Sequence, residues 1–465
     1  MTIDWAILDS DLAETVRDIA FRVRRAGGRA LIVGGAVRDA LLAAGPVKDV
    51  DVEVFGVPPQ ALRRLLLPDY PFEECGVAFG VMKLRRYAVD IALPRRESLC
   101  GSGHRDFFVA ADPSLSVAEA ASRRDFTVNA LYSDPLTGEL EDPYGGIADL
   151  SARRLRHVSA KFAEDPLRVL RGMQFVARFG LVAAPETVSM CRQMDWRSLA
   201  AERVFEEWSK LLLKGRAISA GLDFLRQTGW LAGYPELAAL VGCRQDPRWH
   251  PEGDVWAHTQ LALDAFARHR TGDLRDDLTV GFAVLCHDFG KPLTTTIDHR
   301  DGAIRSKGHD TAGLAPAERF LRRMTSDARL IGEVLPLVAD HMRPFSMWRD
   351  RAGDAAVRRL ALRVGRIDRL LRVSEADDEG RAPSVVASGA QGADRRWLAA
   401  AAARLDVEAH KPRPILLGRH LIARGWQPSP RFKKVLDAVF EAQLDGKFAD
   451  LDGAIAYLES HFLEK

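Results

Sequence analysis

The chain has 465 residues, 47% of them hydrophobic and 28% charged, with a net charge of +2. That apolar content over that length supports large cores and three or four domains of an ordinary soluble protein. The five cysteines, Cys75, Cys100, Cys191, Cys243 and Cys286, are scattered and never form a CxxC pair, which argues against a disulfide framework or zinc knuckle and for a reducing compartment.

The opening residues, MTIDWAILDSDLAETVRD, are acidic where a signal peptide is basic, and no run of eighteen apolar residues occurs. The expectation is a cytoplasmic protein that does not enter a membrane. Residues 1–157 alternate β-branched apolar runs (RALIVGG, DVDVEVFG, YAVDIAL) with amphipathic stretches, which predicts a mixed sheet with helices. Within them Gly34 and Gly35 follow an apolar strand and precede a helix, so the turn can offer N–H groups to an anion, or be only a turn. Asp49 and Asp51 stand two apart in a predicted strand, on one face, where they repel unless a cation lies between them. Asp49 as a turn cap and Glu53 as a solvent-facing residue are the bland alternatives. Phosphate cradle and paired carboxylates together describe Mg²⁺-dependent phosphoryl or nucleotidyl transfer.

From residue 158 the pattern is helical, with Leu167, Leu170, Val176 and Phe179 near helical period. Asp165-Pro166 there reads as a helix start. Asp165 and Arg168 also pair an acceptor with a donor three residues apart. Cytosine and adenine both show an amine donor beside a ring-nitrogen acceptor, which such a pair accepts, whereas uracil and guanine show the reverse. Further on, His258, His287-Asp288, His309, His341 and Asp377 fall on successive predicted helices, a donor set suited to Ni²⁺, Mn²⁺, Fe²⁺ or Mg²⁺ and to phosphoester hydrolysis. His258, His287, Asp288 and Asp377 are the expected primary ligands, with Asp378 the alternative to Asp377. His309 and His341 fit a second metal or phosphate contact, and Lys291 a phosphate contact. Gly380 to Arg396 reads as a linker before an Ala-rich helix at 397–404. Residues 411–434 hold seven Lys or Arg and no acid, with Trp426 and Phe432 among them, either a solvated helix face or a surface for nucleic acid. The expected divisions are a head at 1–157, a neck at 158–215, a body at 216–380 and a tail at 381–465.

Gly34-Gly35-x-Val37-Arg38-Asp39 followed by Asp49-x-Asp51, then RRDFTVNAL at 123–131, EDPLRVLRGMQFVARFGL at 164–181 and GRHLIARGWQPSPRFKKVLDAVFEAQLDGKF at 418–448, resembles the class II tRNA nucleotidyltransferases, the CCA-adding branch of the polymerase-β-type enzymes. The resemblance implies an α+β fold: a nucleotidyltransferase head followed by helical neck, body and tail. It implies Mg²⁺ held by Asp49 and Asp51 for attack of an RNA 3′-hydroxyl on a nucleotide α-phosphorus, with Asp90 either a third carboxylate or structural. Nucleotide contacts are implied for Gly34, Gly35, Arg38, Arg124, Asp125, Asn129, Asp165, Arg168 and Arg171. The family's second Arg is Gln174 here, so Arg171 and Arg178 would share its contacts. The expected partners are tRNA, bound in part by Arg431, Lys433 and Lys434, with ATP and CTP, in a monomer or homodimer. The histidine series resembles the HD phosphohydrolases, and HPEGDVWAHT at 250–259 resembles the nucleotidyltransferases that carry such a module between neck and tail. A poly(A) polymerase or partial CC- or A-adding enzyme is the alternative within the superfamily, ranked lower because ECGVAFGVMKLRRYAVDIALPRRES lacks a GRRF-like segment. An RNA-binding HD hydrolase with an inactive head is the alternative of another class.

Overall fold

The computed structural model describes residues 2–43, 45, 47–75, 81–99, 107–381 and 392–462, in two compact units, Met1–Ser198 and Leu199–Lys465. The expected four-part division is finer than this.

In the first unit, strands β1 (Arg29–Val33), β2 (Val50–Phe55), β3 (Phe72–Cys75), β4 (Val81–Leu84), β5 (Val89–Ala92), β8 (Tyr132–Ser133) and β9 (Leu140–Glu141) form one sheet in the order β3-β4-β5-β2-β1-β8-β9, and β6 (Arg95–Leu99) and β7 (Phe107–Ala111) form a separate hairpin. The sheet is mixed: β2 runs parallel to β5 and antiparallel to β1. Both of its faces are covered, which is why RALIV shows no polar alternation. Ala30 and Ile32 pack with Val16, Ile19 and Val23 of helix α1 (Ser10–Arg25), and Leu31 and Val33 pack with Phe55 and Tyr132 on the other side. On β2 the period of two sorts Val50, Val52 and Val54 into the first core. Asp51, Glu53 and Phe55 share the opposite face and run from exposed through buried polar to apolar core.

The second unit is helical, with a two-stranded hairpin, Thr295–Ile297 with Ile304–Ser306, that periodicity did not predict. Its main helices are α2 (Val255–Arg268), α3 (Leu274–Cys286), α4 (Ala328–Asp340), α5 (Ile367–Glu379), α6 (Ala393–Arg404) and α7 (Pro430–Leu444). Asp254, Asp273 and Asp327 cap the first three, each carboxylate accepting an N–H of the first turn, the standard use of Asp at that position. The Ala-rich helix begins at Ala393, earlier than expected. Residues 382–391 of the expected linker lie outside the described residues, as do residues 76–80 of the segment ECGVAFGVMKLRRYAVDIALPRRES. Among the described residues no helix is long and apolar enough to cross a membrane.

Candidate active sites of the two units

In the first unit β2 starts at Val50, so Asp49 sits on the approach to the strand rather than within it, and both it and Asp51 are exposed. Asp51 lies in register with Asp90 on β5. Desolvation raises the Asp51 carboxyl above its ordinary range, Arg124 opposes this, and Asp90 and Asp49 add to it. Asp90 itself accepts from Lys83 at 2.6 Å. Hard oxygen donors with mutually repelling charges are the set that Mg²⁺ fits. Glu53, two residues along the same face, is not solvent-facing: it is 2% exposed and accepts from Tyr132 Oη at 3.0 Å, with Arg123 and Arg124 at 3.4 and 3.5 Å. Burial lowers the Arg124 guanidinium's affinity for its proton, but Tyr132 and Glu53 outweigh it and keep the charge in place.

Gly34 does not offer its N–H as expected, since that group donates to the Leu131 carbonyl at 3.0 Å. Its value is steric. Its φ is +71°, and a Cβ there would sit 2.9 Å from Arg124 Nη1, so only glycine lets the arginine approach. Gly35 opens the helix Gly35–Leu41 that carries Arg38. Arg38 is buried, donates to Asn129 Oδ1, and stacks 4.2 Å over the Phe179 ring. Asn129 Nδ2 donates to Asp125 Oδ1 at 3.0 Å, and Arg171 Nε donates to Asp125 Oδ2 at 2.7 Å. Burial would raise the Asp125 carboxyl, but Arg171 and Asn129 overcome this and hold it low. Arg38, Asn129, Asp125 and Arg171 thus form one continuous chain.

Asp165 does not share a helix face with Arg168. It lies in extended backbone before the helix Leu167–Phe179, and its Oδ1 accepts from Leu167 N at 3.1 Å, the cap that Asp-Pro suggested. Arg168, in the first turn, donates to the carbonyls of Lys161 and Arg123 at 2.7 and 2.6 Å. Gln174 is buried and accepts from Arg178 at 3.0 Å.

In the second unit four histidines converge. His287 and His341 each end a helix, α3 and α4, and their Nδ1 atoms meet the carbonyls of Val284 and Val338 at 2.7 Å, which the last helical turn leaves unbonded. His309 follows the hairpin, with Nδ1 2.8 Å from Ser306 O. His258, on α2, sets Nδ1 3.0 Å from Glu252. Carbonyl oxygens only accept, so the Nδ1 atoms of His287, His309 and His341 carry a proton and leave Nε2 as the inward atom. Burial would lower the His258 imidazole, but the carboxylates of Asp377 and Glu252, between which it lies, outweigh this and raise it above its ordinary range.

Those inward atoms lie close together. His258 Nε2 is 2.9 Å from Asp377 Oδ1, and Asp288 Oδ2 is 3.3 Å from His287 Nε2 and 3.9 Å from His258 Nε2. Asp288 Oδ1 is 3.5 Å from His309 Nε2, which is 3.2 Å from His341 Nε2. Two lone pairs that close need a proton or a cation between them. His287 Nε2 and Asp288 Oδ1 have no hydrogen-bond partner among the described residues. Ligands about 2.1 Å from one ion stand about 3 Å apart, so the set fits a divalent metal, and Asp288 belongs to two such groups, with His258 and His287 and with His309 and His341. Burial and the neighbouring imidazoles push His341 down to about 4, which keeps it a neutral donor. Asp377 faces the histidines, whereas Asp378 contacts Arg395 and is pushed up to about 6 by burial and by Asp377. Lys291, expected on phosphate, is buried with its Nζ 2.6 Å from both Asp288 and Gln245. Gly290 fixes the closure: a Cβ there would lie 2.0 Å from His309 O.

Sequence reasoning missed Glu53, Tyr132, Glu252, Gln245 and Arg381. The i, i+2 spacing of Glu53 from Asp51 and the HPE of HPEGDVWAHT were the signals for two of them.

In the tail, Arg431, Lys433 and Lys434 are exposed on the first turns of α7. Trp426 and Phe432 pack against a small core of Leu416, Leu421, Val435, Val439 and Leu458, and Arg431 lies over the Trp426 ring.

A mixed sheet bearing carboxylates at the mouth of β2 beside a locked arginine defines a nucleotidyltransferase head. Residues 30–156 match the Poly A polymerase head domain. The multifunctional CCA protein of Xylella fastidiosa (strain M23) is 37% identical over 82% of this chain and 90% of its own length, and that of Xanthomonas campestris pv. campestris (strain B100) is 37% identical over 81% and 91%. The Bacillus stearothermophilus CCA-adding enzyme, solved in complex with CTP, shares the fold with a TM-score of 0.63 at 21% identity, covering 97% of this chain and 98% of that one. The Thermotoga maritima CCA-adding enzyme, solved with tRNA, gives 0.57 at 18% identity over 97% and 96%. The chain belongs to the family of CCA-adding tRNA nucleotidyltransferases. Nucleotidyltransferases of this family use divalent metals, typically Mg²⁺.

Proposed function

We propose that this protein completes tRNA 3′ ends in the cytoplasm by adding C, C and A from CTP and ATP without a nucleic-acid template. The reading rests above all on the mouth of β2, where Asp49 on the approach and Asp51 on the strand stand together, and Glu53, on the face of Asp51, anchors Arg124. Mg²⁺ bound at Asp49 and Asp51 supplies charge neutralisation for the triphosphate and the departing pyrophosphate. Arg124 offers a fixed positive charge beside it, and the Arg38–Asn129–Asp125–Arg171 chain holds the surrounding elements in register. Asp165 accepts from the exocyclic amine of C or A while Arg168 donates to the ring acceptor, in exchange for or beside their present backbone contacts. Each wrong base leaves polar groups unmatched at roughly 1–3 kcal/mol apiece.

The test supplies tRNA transcripts ending before CCA, at C and at CC with each nucleotide separately, followed by end sequencing. CTP is expected to extend the first two and ATP the third. Asp165→Ala and Arg168→Ala should slow addition and raise UTP or GTP incorporation at least roughly fivefold relative to CTP and ATP. Unchanged misincorporation would leave the pair as a helix cap only.

Arg431, Lys433 and Lys434 are read as tRNA phosphate contacts. Replacing Lys433 and Lys434 by Ala should weaken tRNA binding and lower the slope of log K against log salt by about 1–2. An unaltered slope in a binding titration from low to moderate salt returns the segment to solvated surface.

The second unit is read as an HD-type phosphohydrolase. His258, His287, Asp288 and Asp377 would hold one metal, and Asp288 with His309 and His341 a second. A divalent ion bound there, Ni²⁺, Mn²⁺, Fe²⁺ or Mg²⁺, supplies a Lewis acid for phosphoester hydrolysis. Glu252 orients His258, and Lys291 balances the charge of Asp288.

A further inference from the structure

The sheet of the first unit aligns a lysine with the carboxylates at its mouth. Lys83 on β4 stands in register with Asp90 on β5, and Asp90 in register with Asp51 on β2. Residues paired across a sheet leave it on the same face, so one row runs Lys83, Asp90, Asp51 over three adjacent strands. Glu73 on β3 stands in register with Lys83 on its other side and pairs with Arg85 at 3.5 Å. Neighbouring strands lie about 4.8 Å apart, so carboxylates at paired positions can share one divalent ion. Nothing in the backbone therefore bars Asp90 from joining Asp51 as a ligand. What sets Asp90 apart is Lys83, whose ammonium lies 2.6 Å from its Oδ2, a charge-assisted hydrogen bond at the short end of its range. Both members of the pair are felt on β2: desolvation raises the Asp51 carboxyl and Arg124 lowers it, and beyond these Asp90 raises it and Lys83 lowers it.

We propose that Lys83 is a positioning residue that engages Asp90 and keeps it from becoming a third metal ligand, so that the head holds its divalent ion through Asp49 and Asp51. The proposal rests on the reading of Asp49 and Asp51 as the metal ligands. An ammonium and a divalent ion compete for one carboxylate, because they repel each other across it. With Lys83 in place, Asp90 and Lys83 together are close to neutral, and the ion meets the charge of two carboxylates. Without Lys83 it meets three. Removing the lysine should therefore strengthen metal binding, which the loss of a merely structural ion pair would not do.

The test reads Mn²⁺ binding to the full-length protein by electron paramagnetic resonance, without nucleotide or tRNA. Sites lost in Asp51→Ala are those of the head, and sites that remain belong to the second unit. At the head sites Lys83→Met and Lys83→Gln are each expected to tighten Mn²⁺ binding about tenfold, whereas Lys83→Arg should keep the wild-type affinity within about twofold. Asp90→Asn alone should weaken binding by no more than about threefold, yet in the Lys83→Met background it should remove the whole gain, the non-additivity of a contact made only once the lysine is gone. The Lys83 and Asp90 side chains are 53% and 34% exposed, so these variants should retain the wild-type circular dichroism. In CTP addition, the Mg²⁺ concentration for half-maximal rate should fall in Lys83→Met by a similar factor. Unchanged or weaker Mn²⁺ binding in both neutral Lys83 variants would overturn the proposal, as would a loss of more than about tenfold in Asp90→Asn alone, which would make Asp90 a ligand already. A Mn²⁺ isotherm that Asp51→Ala leaves unchanged would overturn the reading of Asp49 and Asp51 as well.

Discussion

Asp49→Ala and Asp51→Ala are expected to lower nucleotide addition to tRNA by at least about a thousandfold, while tRNA affinity in a filter-binding assay stays within about twofold of wild type. The metal-assisted part of such a reaction contributes several kcal/mol, and each 1.36 kcal/mol is a factor of ten in rate. Binding rests instead on phosphate contacts made by cationic surface, which these substitutions leave alone. Both side chains are exposed, so their removal creates no cavity and leaves the packing of β2 intact. Desolvation first, then repulsion from Asp90 and Asp49, hold the Asp51 carboxyl above its ordinary range against the pull of Arg124, so its charge is disfavoured where it stands and the melting temperature of Asp51→Ala should not fall. Incorporation at wild-type rate by both variants would remove the head from the reaction.

The double variant His287→Ala/Asp288→Ala is expected to lose Ni²⁺ and Mn²⁺ binding by calorimetry and all metal-dependent phosphohydrolase activity on 2′,3′-cyclic nucleotides. CCA addition should survive. Asp288 takes part in the His258-His287 group and in the His309-His341 group, so its loss breaks both at once, whereas loss of His341 alone would leave the first. The structural consequence has a definite sign. Lys291 loses the carboxylate 2.6 Å from its ammonium, and an uncompensated buried charge costs about 3–5 kcal/mol. Metal-free, the double variant should therefore melt below wild type, and a chelator should lower the wild-type transition without moving that of the variant. A folded double variant that fails to add nucleotides would show that the two activities are coupled.

Much of this architecture was legible along the chain because it is written in local periods. RALIV and DVDVEVF predicted strands, and the period of two put Asp49 and Asp51 on one face, although the strand itself begins only at Val50. His287 and His341 were found because the order His, His-Asp, His, His, Asp survives as a linear pattern. The cap at Asp165 followed from Asp-Pro alone, since it concerns one carboxylate and an amide two residues on.

What the tertiary structure decided are relations that no local period encodes. That Glu53 is buried depends on Arg123, Arg124 and Tyr132, some seventy to eighty residues away in sequence, and a charged residue is solvent-facing until such partners are known. That Gly34 serves a close approach rather than a free N–H follows from Arg124 and Leu131. Asp377 rather than Asp378 faces the histidines because α5 turns one carboxylate toward His258 and the next toward Arg395, a rotation of one residue that adjacent aspartates leave open in sequence. The tautomers of His287, His309 and His341 were likewise decided only when each Nδ1 met its carbonyl acceptor. The sequence alone determined which groups this protein carries and the local elements that bear them, because propensity and period act over a few residues; the tertiary structure alone determined which of those groups are charged, buried and turned toward one another, because burial and electrostatics are summed over neighbours in space.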